Sequence, residues 1–251
     1  MIPTQQLFTA PLRALSLATL VLALHACQLS AADAKPQDPE PRVVQPGQAG
    51  SPPSDAIILF DGKDLSQFRG ERTPEPKWKI HDGIVESTPP GGILSKEEFG
   101  DCQLHVEFAT PATVKGDGQS RGNSGVYLMG RYEIQVLDSY NSKTYPNGQC
   151  AAFYGHNPPL VNACRQPGEW QTYDIVFHPP RKAVDGSLRP GSFTVIHNGV
   201  LVQDHIPVRA EGTTASPLRG FTDKGPLYLQ DHGNPVRFRN IWIRKLPAPQ
   251  E

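Results

Sequence analysis

Residues 102–108 read Cys-Gln-Leu-His-Val-Glu-Phe, and this stretch decides the fold class. Its apolar residues, Cys102, Leu104, Val106 and Phe108, occupy every second position, and the positions between them are polar. Side chains alternate between the two faces of a β-strand, so this pattern is typical of an antiparallel strand that is buried on one face. The sequence predicts a strand here, with Cys102 as a buried thiol in its apolar row.

The same alternation recurs along the chain. Residues 131–137 and 173–177 also place their apolar residues at every second position. The dipeptides Asp82-Gly83 and Asn198-Gly199 separate apolar runs, and both readily supply the positive φ angles of two-residue hairpin turns. With 26 Pro and 23 Gly, no window offers a long amphipathic helix. The chain is therefore predicted to be all-β, a two-sheet antiparallel β-sandwich of the jelly-roll type.

Residues 1–27 predict an export signal. Their apolar centre is too short to span a bilayer permanently, and it is followed by small residues. Leu24-His25-Ala26-Cys27 resembles a bacterial lipobox, in which Cys27 would be lipidated, whereas Ala32-Asp33-Ala34 offers an ordinary cleavage site. We expect an exported protein, either periplasmic or an outer-membrane-anchored lipoprotein that touches the membrane only through its lipid.

Residues 28–54 are rich in proline and poor in apolar residues, which predicts an extended linker. Residues 55–247 suit one domain with a substantial core. The formal net charge is −1, and no stretch combines clustered Lys and Arg with aromatic residues, so nucleic acid is not an expected partner. With so little net charge, the expected partner is a neutral small molecule, namely a carbohydrate substrate.

Cys150 and Cys164 bracket a short loop. Because an exported protein can form disulfides, the spacing predicts a Cys150–Cys164 bridge with Cys102 unpaired. Closing a loop of this length stabilises the fold by roughly 3 kcal/mol in the chain-entropy model.

A polar row occupies the other face of residues 131–137. Arg131, Glu133 and Gln135 stand there roughly 6.5–7 Å apart, and a bulge would bring Asp138 to the same face. Glu107 would lie beside Glu133 or Arg131 if the two strands share a sheet. Such a cluster suits sugar hydroxyls or a divalent metal such as Ca²⁺. The alternatives are a solvated outer face and a simple ion pair between Glu107 and Arg131.

Short motifs follow one another over residues 57–246. They are Leu59-Phe60-Asp61-Gly62-Lys63-Asp64-Leu65, Gly122-Asn123-Ser124-Gly125-Val126-Tyr127-Leu128, Tyr132-Glu133-Ile134-Gln135-Val136-Leu137-Asp138, Tyr154-Gly155, Gly168-Glu169-Trp170-Gln171-Thr172-Tyr173-Asp174, His197-Asn198-Gly199 and Gln230-Asp231-His232-Gly233. Taken in order, the set resembles the 3-keto-disaccharide hydrolase family. The resemblance implies a concanavalin A-like, glucanase-like jelly roll and cleavage of glycosides already oxidised to a ketone at C3 of the sugar.

Further candidate residues lie in the loops that carry these motifs. His156 and His232 could transfer protons near neutral pH. Tyr154 could stack on a sugar, and Asn123 could supply a hydrogen-bonding edge. The strand 131–137 also resembles the Glu-x-Asp-x-x-Glu strand of laminarinase-type glycosidases, although a retaining mechanism would require two carboxyl groups about 5–5.5 Å apart.

The expected reaction is elimination followed by hydration. A base, Glu133 or His156, would remove the acidic proton on C2, and Arg131 or a metal would stabilise the enolate. Asp138 or His232 would protonate the departing oxygen. The alternative is a non-catalytic carbohydrate-binding β-sandwich module on the same scaffold, in which Glu133, Asp138 and a loop histidine need not converge.

Overall fold

The computed structural model describes residues 40–48, 51–209 and 211–249. The chain divides into two units, Met1–Val43 and Val44–Glu251, and every described strand lies in the second. The predicted signal and its Cys27 fall outside the described residues. Within the described ranges, no helix has the length and hydropathy needed to cross a membrane.

The described chain is built from fifteen strands and contains two short 3₁₀ turns, Gly118–Ser120 and Pro146–Gly148, but no α-helix. The strands are β1 Ile57–Phe60, β2 Phe68–Gly70, β3 Lys79–His81, β4 Ile84–Glu86, β5 Ile93–Phe99, β6 Cys102–Ala109, β7 Ser124–Leu128, β8 Tyr132–Val136, β9 Gln171–His178, β10 Arg181–Lys182, β11 Leu188–Arg189, β12 Gly191–His197, β13 Val200–Val208, β14 Gly225–Leu229 and β15 Arg237–Lys245. The all-β prediction is confirmed.

Two antiparallel sheets make up the domain. The eight-stranded sheet has the order β13-β12-β9-β6-β15-β4-β3, and β1 also pairs with β15. The five-stranded sheet has the order β2-β5-β14-β7-β8, so β8 is its last strand. A separate ribbon joins β10 and β11. The β6 and β8 strands, which the sequence analysis paired as possible neighbours, therefore belong to different sheets.

The hydrophobic core joins the two sheets face to face. Val106 and Phe108 of β6 belong to the same buried cluster as Ile134 and Val136 of β8. Each such side chain contributes roughly 1.5–3 kcal/mol when fully buried. Cys102 is a buried free thiol in this cluster, as predicted. Since neighbouring residues on a strand point to opposite faces, the side chains that alternate with these core residues face away from the core.

The predicted turn chemistry is present. Asp82 and Gly83 link β3 to β4 with φ angles of 50° and 75°, and the Asn198-Gly199 pair links β12 to β13 in the same left-handed region. Both turns match the type that follows the right-handed twist of a hairpin. The register of β15 against β6 shifts between Arg239 and Trp242.

Candidate active site

Glu133 lies on β8 and faces away from the core, on the outer face of the five-stranded sheet. Residues 151–154 pair with the free edge of β8, with Tyr154 N–H donating to the Glu133 carbonyl at 3.1 Å. Phe153 forms an antiparallel bridge with Ile134 and packs with it in the core. Tyr154 is therefore next to Glu133 on the outer face.

Two more tyrosines continue this line across the sheet. Tyr127 of β7 is opposite Glu133, and Tyr228 of β14 is opposite Tyr127. Their rings meet edge to face with centroids 5.1 Å apart. Together with Leu94 they form a hydrophobic cluster separate from the core. We call Tyr154, Glu133, Tyr127 and Tyr228 the tyrosine row.

The Glu133 carboxyl is almost fully enclosed, with 2% of the residue exposed. Burial raises its pKa to about 8, and the hydrogen bond from the Tyr127 hydroxyl offsets only part of this rise. Gln230 Nε2 in turn donates to the Tyr127 hydroxyl at 2.9 Å. The carboxyl is therefore mostly protonated at neutral pH, and its ionised fraction is a stronger base than an ordinary glutamate.

Gly125 explains how the row packs so closely. A Cβ atom built at this position would lie 2.5 Å from the Tyr127 ring and 2.6 Å from Oε1 of Glu133. Both distances are too short for any side chain, so only glycine leaves room for the tyrosine ring and the carboxyl. Close packing thus explains why glycine occupies position 125 in the motif of residues 122–128.

Three buried oxygens around the row have no hydrogen-bond partner among the described residues. They are Oε2 of Glu133, Oε1 of Gln135 and Oε1 of Gln230. The Gln135 amide nitrogen donates to Oε1 of Gln119 at 2.9 Å, which leaves its own oxygen free. Buried acceptors in a native fold are rarely left without a donor. A ligand rich in hydroxyl groups would supply such donors.

The far end of the row carries two further acids that sequence reasoning missed. Glu71 accepts a hydrogen bond from the Tyr228 hydroxyl at 2.9 Å and another from Gly92 N–H at 2.8 Å. Asp231 accepts from Gly91 N–H at 3.1 Å. Asp231 was present in a quoted motif, but Glu71 lies in a turn without periodicity and Tyr228 lies in a strand buried on both faces. Alternation therefore gave no signal for either residue.

Glu107 does not join this site. It lies on β6 in the eight-stranded sheet, where Arg239 Nε donates to it at 2.6 Å and Asn240 Nδ2 at 2.8 Å. The expectation that Glu107 lines one groove with Glu133 is wrong, as is the alternative of an ion pair with Arg131. A Ca²⁺ site that uses both acids cannot form, because each faces away from the core on a different sheet.

Arg131 also differs from its expected role. Its guanidinium donates to three backbone carbonyls, those of Met129, Arg219 and Gly220, at 2.7–3.2 Å. It thus fixes the loop before β14, and burial lowers its pKa. These partners favour a structural role for Arg131 over the expected stabilisation of an enolate.

Asp138 is held apart from Glu133. Arg121 Nε contacts its carboxylate at 2.6 Å, and Tyr140 N–H donates to it at 3.1 Å. It borders a cavity of about 620 Å³ whose other charged neighbours include Glu86 and Arg237. Within the described residues, the partners of the Asp138 carboxylate are therefore Arg121 and Tyr140 rather than Glu133. Asn123 donates to the Gln119 carbonyl at 2.6 Å and braces the same loop.

The two histidines, His156 and His232, lie in loops, as predicted, and both are exposed. His156 stacks on Phe153, the residue before Tyr154, with ring centroids 4.6 Å apart. His232 follows Asp231 in the loop after β14. In the described structure, neither ring is hydrogen-bonded to Glu133. His156 is two residues from Tyr154, and His232 is four residues from Tyr228. Each histidine is therefore close in sequence to one end of the tyrosine row.

The cysteines outside the core strand do not form the predicted bond in this structure. Cys150 is buried, Cys164 is half-buried, and both are free thiols. Their sulfurs are nevertheless neighbours, which agrees with the prediction that this pair comes together.

Comparison with known proteins gives a family match over nearly the whole domain. The model of the 3-keto-alpha-glucoside-1,2-lyase-like domain matches residues 55–244. The curated 3-keto-disaccharide hydrolase of Bacteroides thetaiotaomicron is 25% identical, over 76% of this chain and 78% of that protein.

Solved structures agree. A candidate glycosyl hydrolase of Parabacteroides distasonis is 44% identical, covers 85% of this chain and 95% of its own, and superposes with a TM-score of 0.78. A second candidate glycosyl hydrolase of that organism is 25% identical, over 76% of this chain and 99% of its own, with a TM-score of 0.53.

Proposed function

This chain belongs to the family of 3-keto-alpha-glucoside-1,2-lyase-like domains, and from that membership we propose that it hydrolyses glycosides whose sugar carries a ketone at C3. The coarser assignment, a glycoside-cleaving hydrolase, is supported by the curated 3-keto-disaccharide hydrolase and by the 44% identical candidate glycosyl hydrolase. The finer assignment rests on the chemistry of the tyrosine row.

The observation that carries the proposal is the buried Glu133 carboxyl with its pKa of about 8. Acid–base catalysis is most effective when the pKa of the catalytic group lies near the working pH. A binding module gains nothing from such a group, whereas removal of a proton next to a ketone requires a strong base. The free oxygens of Glu133, Gln135 and Gln230 would accept hydrogen bonds from sugar hydroxyls.

We propose that Glu133 acts twice. Its ionised form takes the proton from C2, and the C2–H electron pair forms the enolate of the C3 ketone. The enolate then expels the oxygen at C1, and the carboxyl returns its proton to that oxygen. Water adds across the C1–C2 double bond, giving C1 its hydroxyl and C2 its proton, so the net reaction is hydrolysis.

Tyr127 positions Glu133 in this scheme. Its hydroxyl donates to the ionised carboxyl and is itself held by Gln230. Once Glu133 takes the proton from C2, the carboxyl no longer needs this donor, and the hydroxyl can turn to the enolate oxygen. His156 and His232 are too exposed to replace an enclosed base, so we assign them to the rim.

The direct test compares matched glycosides. The protein is incubated with a native disaccharide and with its 3-keto form, and sugar release is followed by chromatography. We expect release from the 3-keto form alone, with deuterium at C2 when the reaction runs in D₂O. A control with preformed product corrects for exchange at that carbon. Binding of sugar without any release would favour the non-catalytic carbohydrate-binding module, and deuterium no higher than the control would contradict the elimination route.

We also propose that the chain is exported and that Cys27 carries lipid. The apolar leader and the Leu24-His25-Ala26-Cys27 motif support this. Mass spectrometry of protein from its native host would give the mature terminus. A chain that starts at Lys35 would contradict lipidation.

A further inference from the structure

A cluster of metal-binding side chains lies on the far side of β8 from the tyrosine row. Cys150, Cys164 and His197 each offer one ligand atom, and these three atoms lie within 4.8 Å of one another. For comparison, two thiolates on one tetrahedral zinc ion stand about 3.8 Å apart. Small side-chain movements would bring all three onto one ion.

The histidine is prepared for this role by Gln171. The Gln171 amide is oriented by three contacts: its nitrogen donates to the Arg165 carbonyl at 3.1 Å, and its oxygen accepts from Asn198 Nδ2 at 2.7 Å and from the Arg165 N–H at 3.0 Å. That oxygen also lies 3.2 Å from Nε2 of His197, so Nε2 must carry the ring proton. Nδ1 is then the nitrogen with a free lone pair. Metal-binding histidines are commonly oriented by an outer carbonyl in this way.

The remaining ring nitrogen has no other use in the described structure. Nδ1 of His197 is buried without a hydrogen-bond partner, and the residue is 1% exposed. A Cys150–Cys164 disulfide would leave Nδ1 without a partner, whereas a bound ion would satisfy Nδ1 and both sulfurs together.

The charges of the three ligands suit a divalent cation. Two thiolates and one neutral imidazole carry two negative charges, so a divalent ion bound among them would leave the buried cluster electrically neutral. Half-buried Cys164 gives the ion a route from solvent.

We propose that Cys150, Cys164 and His197 form a structural site for a thiol-binding divalent cation of the zinc class. Two thiolates and one imidazole are ligands that zinc prefers, and they leave a fourth position for water. The site ties the loop of Cys150 and Cys164 to the end of β12. Tyr173 links it to β8, because its hydroxyl contacts Cys150 Sγ at 3.1 Å and donates to the Gln135 carbonyl at 2.6 Å.

The test measures metal content and cysteine state in the same sample of the full chain. The protein is purified from zinc-supplemented medium, and zinc is counted per chain by mass spectrometry while alkylation maps Cys150 and Cys164. We expect close to one zinc per chain, both thiols modifiable only after chelation, and thiolate-to-metal charge-transfer absorption when Co²⁺ replaces Zn²⁺.

Variants identify the ligands. Cys164→Ser and His197→Gln should each lose zinc at least ~10-fold more readily, whereas Cys102→Ala, which removes a buried thiol elsewhere in the core, should keep it. Circular dichroism checks that each variant folds, and the Co²⁺ spectrum of the unmodified chain decides if one does not. A covalent link between the Cys150 and Cys164 peptides would overturn the proposal in favour of the disulfide. Free thiols with less than about a tenth of an equivalent of zinc would overturn it as well.

Discussion

Glu107 and Glu133 occupy equivalent positions in the sequence pattern of their strands, but the fold shifts their carboxyl pKa values in opposite directions. Each is a polar residue between two apolar residues of its strand, and each faces away from the core. Burial alone would raise the pKa of Glu107, but hydrogen bonds from Asn240 and Arg239 outweigh it and hold the pKa below its ordinary value. Glu133 has only Tyr127, so burial dominates and the pKa rises to about 8.

The difference shows what makes a buried acid reactive. Arg239 and Asn240 stabilise the Glu107 carboxylate and lower its pKa. The carboxyl is therefore ionised at neutral pH and is a weak base there. Glu133 is enclosed by tyrosines and keeps one oxygen without a partner. The number of donors that tertiary packing brings to each carboxyl, rather than the strand pattern, separates Glu107 from Glu133, the residue that we propose as the catalytic base.

The largest expected effect comes from removing the reactive carboxyl. Glu133→Gln should lower kcat/KM on a 3-keto glycoside by ~10²–10⁴-fold, because an amide can neither take nor return the C2 proton. Glu107→Gln is the matched control and should stay within about 3-fold of the unmodified enzyme, because its site is remote from the tyrosine row. Equal losses in both variants, measured by steady-state kinetics, would mean that the comparison between the two glutamates fails.

Stability should respond to pH in opposite directions at the two sites. The folded pKa of Glu133 lies above its ordinary value of 4.5, so its contribution is full below pH 4.5 and is lost as pH rises toward 8. The slope is about 1.4 kcal/mol per pH unit, or roughly 2.5 kcal/mol between pH 5 and pH 7. Urea unfolding at both pH values should show this loss in the unmodified chain and not in Glu133→Gln. A variant that retains the full slope would show that another group causes it.

Tyr127→Phe tests whether the Tyr127 hydroxyl stabilises the ionised Glu133 carboxylate. The Tyr127 hydroxyl stabilises ionised Glu133, so its removal raises the carboxyl pKa further and moves the rising limb of the pH–rate profile to higher pH. At pH 7 we expect a loss of about tenfold, in line with one hydrogen bond to a charged group. Tyr228→Phe is the control. Because the Tyr228 hydroxyl donates to Glu71 and not to Glu133, this variant should leave the rising limb of the pH–rate profile unmoved. An unmoved limb in Tyr127→Phe would remove Tyr127 from this role.

The smallest effect belongs to Glu107. Its folded pKa is depressed, so the stability it contributes is present above pH 4.5 and is lost as pH falls through the folded value. Because the Arg239 side chain is 41% exposed, the pair is screened, and Glu107→Gln should cost only about 1 kcal/mol at pH 7. Thermal unfolding at pH 7 and pH 3 should show that this difference shrinks in acid. A cost that grows in acid would contradict the ion-pair account.

Local patterns predicted a good part of this molecule. The alternation in residues 102–108 predicted which side chains of β6 enter the core, and Asn198-Gly199 predicted a hairpin. These features depend on neighbours in the chain, whose geometry is fixed by the period of a strand and by the φ angles that glycine and asparagine tolerate. The alternation in residues 131–137 likewise predicted that Glu133 and Gln135 lie on the face opposite Ile134 and Val136.

The errors have one physical origin. The sequence pattern grouped three charged residues with Glu133, namely Glu107, Asp138 and Arg131. In the structure each of them forms hydrogen bonds with residues of other elements: Arg239, Arg121 and the Gly220 carbonyl, respectively. Charged side chains take the donors and acceptors that packing brings to them, and sheet order decides which those are. No periodicity signals that β6 and β8 belong to different sheets.

The sequence by itself determined the all-β class, the inward and outward faces of the strands and the family of the domain. Only the tertiary structure decided that Glu133 would be enclosed beside Tyr127 and Tyr228 while Glu107 met Arg239, and that His197 would meet the two cysteines. The reason is that strand faces follow from the local backbone, whereas the electrostatic environment of a carboxyl or a thiol depends on residues distant in the chain, which only the folded sheets bring together.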